Sequence, residues 1–134
     1  MKKMIFSILL FLSVFIFVFY SHNLLKKVCN NILIYCETIE EIFETSNLNS
    51  DNTLNWNNIH KNSIELEVYI KSNYRLLSLY INHELLDSLD SEVLTLEQFS
   101  KSQEIGESLS SLHKIISQTK NILSLQEINF ENII

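Results

Sequence analysis

The run MIFSILLFLSVFIFVFYSHNLLKKVCNNILIYCETIEEIFET, residues 4–45, changes character once along its length. Its first 17 residues, Met4 to Tyr20, carry no charge and are apolar on every side. After Tyr20 the apolar residues thin out to a stripe: Leu25, Val28, Ile32, Tyr35, Ile39 and Ile42, widened by Leu24, Cys36 and Phe43. That alternating three-four spacing marks one face of a helix packed on a neighbour, whereas a helix apolar all round belongs in lipid or deep in a large core. Nothing in the run breaks a helix, so the two parts read as one continuous element.

A bilayer core of about 30 Å needs roughly 20 apolar residues, with a lower limit near 17. Met4–Tyr20 meets that limit, and the uncharged Ser21 and weakly polar His22 extend it. Ser7 and Ser13 are tolerable because a helical serine can hydrogen-bond the carbonyl one turn back. Tyr20 falls where an aromatic ring meets the headgroups. Phe11, Phe15, Phe17 and Phe19 leave no seam of small residues for tight pairing of such helices. A cleaved signal peptide is the rival reading, with Met1-Lys2-Lys3 as its charged start. Against it, the apolar core is long for a signal, and Phe19 stands where a small residue is needed before cleavage. Cys29, preceded by Leu25-Lys26-Lys27-Val28, does not fit a lipoprotein signal. The expectation is a retained signal-anchor in residues 1–21 and a separate domain in residues 22–134.

Orientation rests on smaller differences. Lys2, Lys3 and the α-amino group flank one end of the span, and Lys26 and Lys27 lie several residues past the other. A short basic start before an apolar core places the N-terminus in the cytoplasm and the domain outside, as a single-pass protein of the cell membrane. From Ser21 onward there are 8 Lys and Arg against 16 Asp and Glu. With no basic patch to neutralise phosphates, a nucleic-acid partner is not expected.

The whole chain has no proline and one glycine, Gly106. Long runs without such punctuation favour helices. The segment TSNLNSDNTLN, residues 45–55, is the clearest break, with Asp51 or Thr53 as the next helix cap. The second helix then carries Trp56, Ile59, Ser63, Leu66, Ile70, Asn73 or Tyr74, Leu77 and Ile81 on one side and runs to Asn82 or His83. Asn82-His83-Glu84 reads as a sharp change of direction. A third stripe follows: Leu86, Leu89, Val93, Leu96 and Ser100, backed by Leu85 and Phe99. Ser100 and Gln103 fit a capping box for a last helix from Gln103 to about Leu123. Its stripe is Ile105, Leu109, Leu112, Ile116, Thr119 and Leu123. Residues 124–134 read as a tail whose Ile128, Phe130, Ile133 and Ile134 dock on the bundle or on a partner. The predicted fold is all-α: an N-terminal transmembrane helix continuing into an elongated antiparallel bundle of about four helices.

Catalytic chemistry finds no foothold. Cys29 and Cys36 are seven residues apart, about 10 Å along one helix, too far to bridge each other. They read as small core side chains, with pairing across a homodimer as the sharper alternative. His22, His60, His83 and His113 form no metal-ligand motif with Cys or Glu. Glu37, Glu40, Glu41 and Glu44 read as a solvated face, Trp56 as a core or end-cap residue, and Tyr69, Tyr74 and Tyr80 as core-flanking rings. There is no nucleophile elbow or glycine-rich phosphate loop. No catalytic, cofactor-binding or metal-binding residue is assigned, no cofactor is expected, and the chain reads as a non-enzyme.

These features together resemble a set of small membrane-anchored helical proteins of clostridia and related bacteria, catalogued as domain of unknown function 4363. The resemblance covers nearly the whole chain. It is carried by Lys2-Lys3 and the apolar anchor, the acidic Glu37–Glu44 segment, Trp56, the run Leu76-Leu77-Ser78-Leu79-Tyr80-Ile81-Asn82-His83-Glu84, and the closing Leu125–Ile134 segment. In similar proteins the Ile81–Glu84 region reads as Ile, Asp, His and an acid. Asn82 replaces that aspartate here, which argues against a charged site. The resemblance implies the architecture and no reaction, substrate or cofactor. Three functions then remain open: a membrane-anchored domain that binds another protein at the cell envelope, with the bilayer engaged through residues 4–20; a small-ligand or peptide sensor with a polar pocket near Asn73, Tyr74 and His83; and a self-assembling structural protein of the envelope.

Overall fold

The computed structural model describes residues 1–48 and 54–131, without the side chains of residues 47, 48 and 128–131. All four elements are helices: α1 (Lys2–Leu48), α2 (Trp56–Tyr80), α3 (His83–Ser102) and α4 (Ile105–Glu131). Helix α1 is unbroken over 47 residues, about 70 Å at 1.5 Å per residue. Among the described residues, α1 packs on α2 and α4, and α3 packs on the same two, with no close approach across either diagonal. The four axes therefore stand at the corners of a square, each antiparallel to its neighbours, and every stripe faces the centre.

The core repeats the stripes closely. On α1, Leu25, Val28, Cys29, Ile32, Cys36, Ile39 and Phe43 are buried, with Tyr35 and Ile42 half-buried beside them. Ile59, Leu66, Ile70, Leu77 and Ile81 line α2, and Leu86, Leu89, Val93 and Leu96 line α3. Each such aliphatic side chain contributes about 1.5–3 kcal/mol when fully withdrawn from water. Two buried hydroxyls satisfy themselves on their own helices, Ser63 Oγ donating to Ile59 O at 2.8 Å and Thr119 Oγ1 to Ile115 O at 2.8 Å, whereas the buried Ser108 Oγ has no hydrogen-bond partner among the described residues. At the end far from the N-terminus, Phe43 and Trp56 meet edge-to-face with centroids 5.9 Å apart, a geometry favoured by the ring quadrupoles. Trp56 is thus an end-cap residue of the core.

Helix α4 corrects the expected stripe. Its buried positions are Ser108, Ser111, Leu112, Ile115, Thr119 and Ile122, while Leu109, Ile116 and Leu123 are half-buried and Ile105 is exposed. The inward face is turned toward the serines. Serine carries no apolar signal, yet Ser108 and Ser111 are buried in the helix that packs against both α1 and α3.

The helix ends differ from expectation in several places. Asn55 caps α2, its side chain accepting from the Asn58 N–H at 3.1 Å, whereas Asp51 and Thr53 lie outside the described residues. Helix α1 also continues through residues 45–48 of the expected turn. Leu54 packs on the core, and the side chain of Leu48 lies outside the described residues. Helix α2 stops at Tyr80 because Ile81 is extended and Asn82 already caps α3, accepting from the Glu84 N–H at 3.0 Å.

No capping box forms at Ser100–Gln103. Ser100 belongs to α3 and donates to Glu97 O. Gln103 ends α3 in the left-handed region, φ 62° and ψ 37°. The Glu104 N–H bonds Phe99 O at 3.0 Å and the Gln103 N–H bonds Ser100 O at 3.4 Å, a Schellman arrangement with glutamine where glycine is usual. Helix α4 then starts at Ile105 and runs to Glu131, through most of the expected tail. The side chains of Ile128 and Phe130, and all of Ile133 and Ile134, lie outside the described residues.

Candidate functional site

Two features of α1 stand apart from an ordinary bundle helix. The first is exposure. The side chains from Met4 to Tyr20 are uncovered, with Phe11 at 72% and Phe15 at 68%. The most apolar window of α1 is only 6% buried, which distinguishes it from the core helix of a globular protein. By length and composition, α1 is the one helix among the described residues fit to cross a membrane. Its polar groups look after themselves, since Ser13 Oγ donates to Leu10 O at 2.8 Å, as a helix in lipid requires.

The second feature is the abrupt start of the bundle. Ser21 is already buried at 5% exposure, and Leu25 is wholly buried. Ser21 Oγ donates to Phe17 O at 2.8 Å, so the helix passes from one regime to the other without a hinge.

Several titratable and nucleophilic groups are buried or bonded within the bundle. Cys29 and Cys36 are free thiols with no exposed surface. Burial pushes the Cys29 thiol up to about 11 and, with help from Glu40 and Glu37, the Cys36 thiol up to about 12. Such thiols stay protonated and unreactive at neutral pH, and their burial removes the homodimer disulfide. His60 Nδ1 lies 3.2 Å from Ser100 Oγ, joining α2 to α3. His113 Nε2 lies 3.2 Å from Glu40, joining α4 to α1. Lys71 pairs with Glu67 one turn away on α2, and this hydrogen bond holds the Glu67 carboxyl below its ordinary range. Among the described residues, no group of three or more His, Cys, Asp and Glu side chains converges to hold a metal ion.

The three residues considered for a ligand pocket are not joined. Asn73 donates to Tyr69 O at 2.8 Å, within α2. The Tyr74 hydroxyl donates to Asp87 at 2.8 Å, which raises its pKa. His83 is the exposed first residue of α3. The Ile81-Asn82-His83-Glu84 run has a structural explanation: Asn82 is an N-cap, and an aspartate there would accept the same bond.

Sequence reading missed the contacts that tie one helix to another. Asn31 donates to the Tyr69 hydroxyl at 2.9 Å, Gln118 to Ser88 Oγ at 2.9 Å, and Lys114 to Glu92 at 3.3 Å. These pairs are far apart in the chain, so no local spacing announces them. The i,i+4 pair Glu67–Lys71 is the kind that spacing can reveal.

Fold and site together define a four-helix antiparallel bundle whose first helix runs on as a bare apolar rod. The chain belongs to the family described as domain of unknown function DUF4363, whose model matches residues 19–133. The match takes in the bundle and begins at Phe19, leaving residues 4–18 outside it. No curated protein and no solved structure matches the chain.

Proposed function

We propose that this chain is a noncatalytic domain held at the cell envelope by a single membrane-spanning helix, where it binds another protein. Residues 4–20 cross the bilayer, the N-terminus lies in the cytoplasm, and the bundle of residues 22–134 stands outside. The observation that carries the reading is the unbroken α1: the apolar side chains of its first part are exposed, and its second part builds one corner of the core. The basic pair Lys2-Lys3 directly before the apolar run supports the orientation. The absence of an enzymatic role is argued from the groups that would serve one: the thiols are buried, and His60 and His113 are engaged between helices.

Affinity isolation of the full-length protein from crosslinked membranes tests the partner, with specific recovery of a second protein expected. Recovery of nothing specific, or only of further copies of this chain, overturns it, the latter in favour of self-assembly. Topology is tested on intact cells with a membrane-impermeant thiol reagent in mild denaturant. Cys29 and Cys36 react if the bundle is outside and stay unlabelled if it faces the cytoplasm.

A further inference from the structure

Resting on the proposed span, we infer that the end of the bundle nearest it, presented by Leu79 and Tyr80 of α2 and Leu125 of α4, sits in the headgroup layer of the bilayer. The domain therefore stands directly on lipid, with no stalk between.

Three observations lead there. The first is register. The Asn31–Tyr69 hydrogen bond and the Phe43–Trp56 ring pair align α1 with α2 so that Tyr80 comes level with Tyr20. Helix α4 runs toward the same end: the Gln118–Ser88 and Lys114–Glu92 pairs set Leu125 beside the α2–α3 corner, and the His113–Glu40 pair sets it about two turns above Tyr20 on α1. Ser21, the first residue past the span, is buried by the bundle, so no length of free helix separates the two.

The second is apolar exposure in the right place. Leu79 is 74% exposed, Leu125 49% and Tyr80 42%. Leucine and tyrosine beside the aromatic Tyr20 are side chains suited to the interface between hydrocarbon and headgroups.

The third is length. Seventeen residues span about 25 Å, some 4–5 Å short of a typical hydrocarbon core. A short span is accommodated by local thinning or by drawing flanking residues inward. The residues beside its outer end are Leu79 and Tyr80. Charge agrees with the placement. Exposed Lys26, Lys27, Arg75 and Lys120 lie within a few turns of this end, positioned to reach lipid phosphates and to offset Glu84, Asp87 and Glu127. The acidic run Glu37–Glu44 lies on the half of the bundle farthest from an anionic surface.

The test uses the full chain in liposomes of phosphatidylcholine and phosphatidylglycerol, prepared with and without brominated acyl chains, which quench tryptophan at the lipid. Native Trp56, at the opposite end of α2, supplies an unquenched background. Single variants Phe11→Trp, Leu79→Trp and Val68→Trp each add one probe, and Tyr80→Trp repeats the reading at the same depth as position 79. The expected result is near-complete loss of the added emission at position 11, partial loss at 79 and 80, and none at 68, which is exposed but several turns higher. Quenching at 11 with none at 79 or 80 overturns the seating and leaves the span intact. Equal quenching at 68 and 79 overturns it in favour of a bundle lying on its side. No quenching at 11 removes the span and the seating together.

Discussion

Met4–Tyr20 and Leu25–Phe43 are parts of one helix with the same backbone, yet they satisfy their side chains in opposite ways. In the second part, Leu25, Ile32 and Ile39 are wholly buried against α2 and α4, while Glu37, Glu41 and Glu44 face outward. In the first part, Phe11, Phe15 and Phe17 are each about two-thirds or more exposed. Helix formation is thus indifferent to what the side chains need. The difference lies in angular distribution: a stripe can be covered by two neighbouring helices, whereas an all-round apolar surface can be covered only by a surrounding solvent of its own kind.

That contrast can be broken most decisively by removing the apolar part. Leu, Ile, Phe and Val contribute about −0.3 to −0.6 kcal/mol each to insertion at a helix centre, so the run amounts to roughly 4–8 kcal/mol. Deleting residues 2–20 is expected to move the protein wholly from the membrane to the aqueous fraction, with the thermal unfolding of the bundle preserved. Loss of the bundle along with the anchor would show that the two parts are not independent.

The converse change is Leu66→Ala in the core. Leu66 has no exposed surface, and such truncations cost about 2–5 kcal/mol. Denaturant unfolding is expected to shift by that amount while membrane fractionation stays unchanged.

The thiols of the second part sharpen the contrast through pH. Cys29 and Cys36 hold their protons to about pH 11 and 12 in the fold, against an ordinary value of 9.0. Above pH 9 the unfolded chain releases protons that the native chain keeps, so stability falls with rising pH. The slope is at most about 1.4 kcal/mol per pH unit for each thiol. Urea titrations between pH 8 and 11 are expected to show the decline, and Cys29→Ala with Cys36→Ala to flatten it. A slope unchanged in the double variant would assign the decline to other groups.

The smallest effect is expected at the α3–α4 corner. Gln103 adopts a left-handed conformation that costs a side-chain-bearing residue about 1 kcal/mol. Gln103→Gly is expected to raise the midpoint of unfolding by the corresponding amount and to leave membrane attachment alone. A destabilised variant would mean that the glutamine side chain contributes more than its backbone loses.

Legibility followed the chemistry of each stripe. On α3 the five inward residues, Leu86, Leu89, Val93, Leu96 and Ser100, were readable one by one, because four are aliphatic and the fifth keeps their spacing. On α4 the face was read roughly 70° off, since Ser108 and Ile115 occupy its centre, Ser111 lies on the far edge, and apolar Leu109 and Ile116 lie on the near one. The Ser100–Gln103 pair matched a helix start and proved to be a helix end, because a four-residue signature does not say on which side of it the chain turns. The candidate site divided likewise. The exposed apolar run was legible from composition alone, and the placement of Leu79 and Tyr80 level with its end at Tyr20 was not.

What the sequence by itself determined is local: four helices, their inward stripes except on α4, and the all-round apolar character of Met4–Tyr20. Each follows from residues within a few turns of one another. Only the tertiary structure decided the square order of the helices, the pairs Asn31–Tyr69, His60–Ser100 and Glu40–His113, and the alignment of Tyr80 with Tyr20. Those depend on the axial register of packed helices, which is set by how whole surfaces interlock and leaves no mark on the spacing within any one of them.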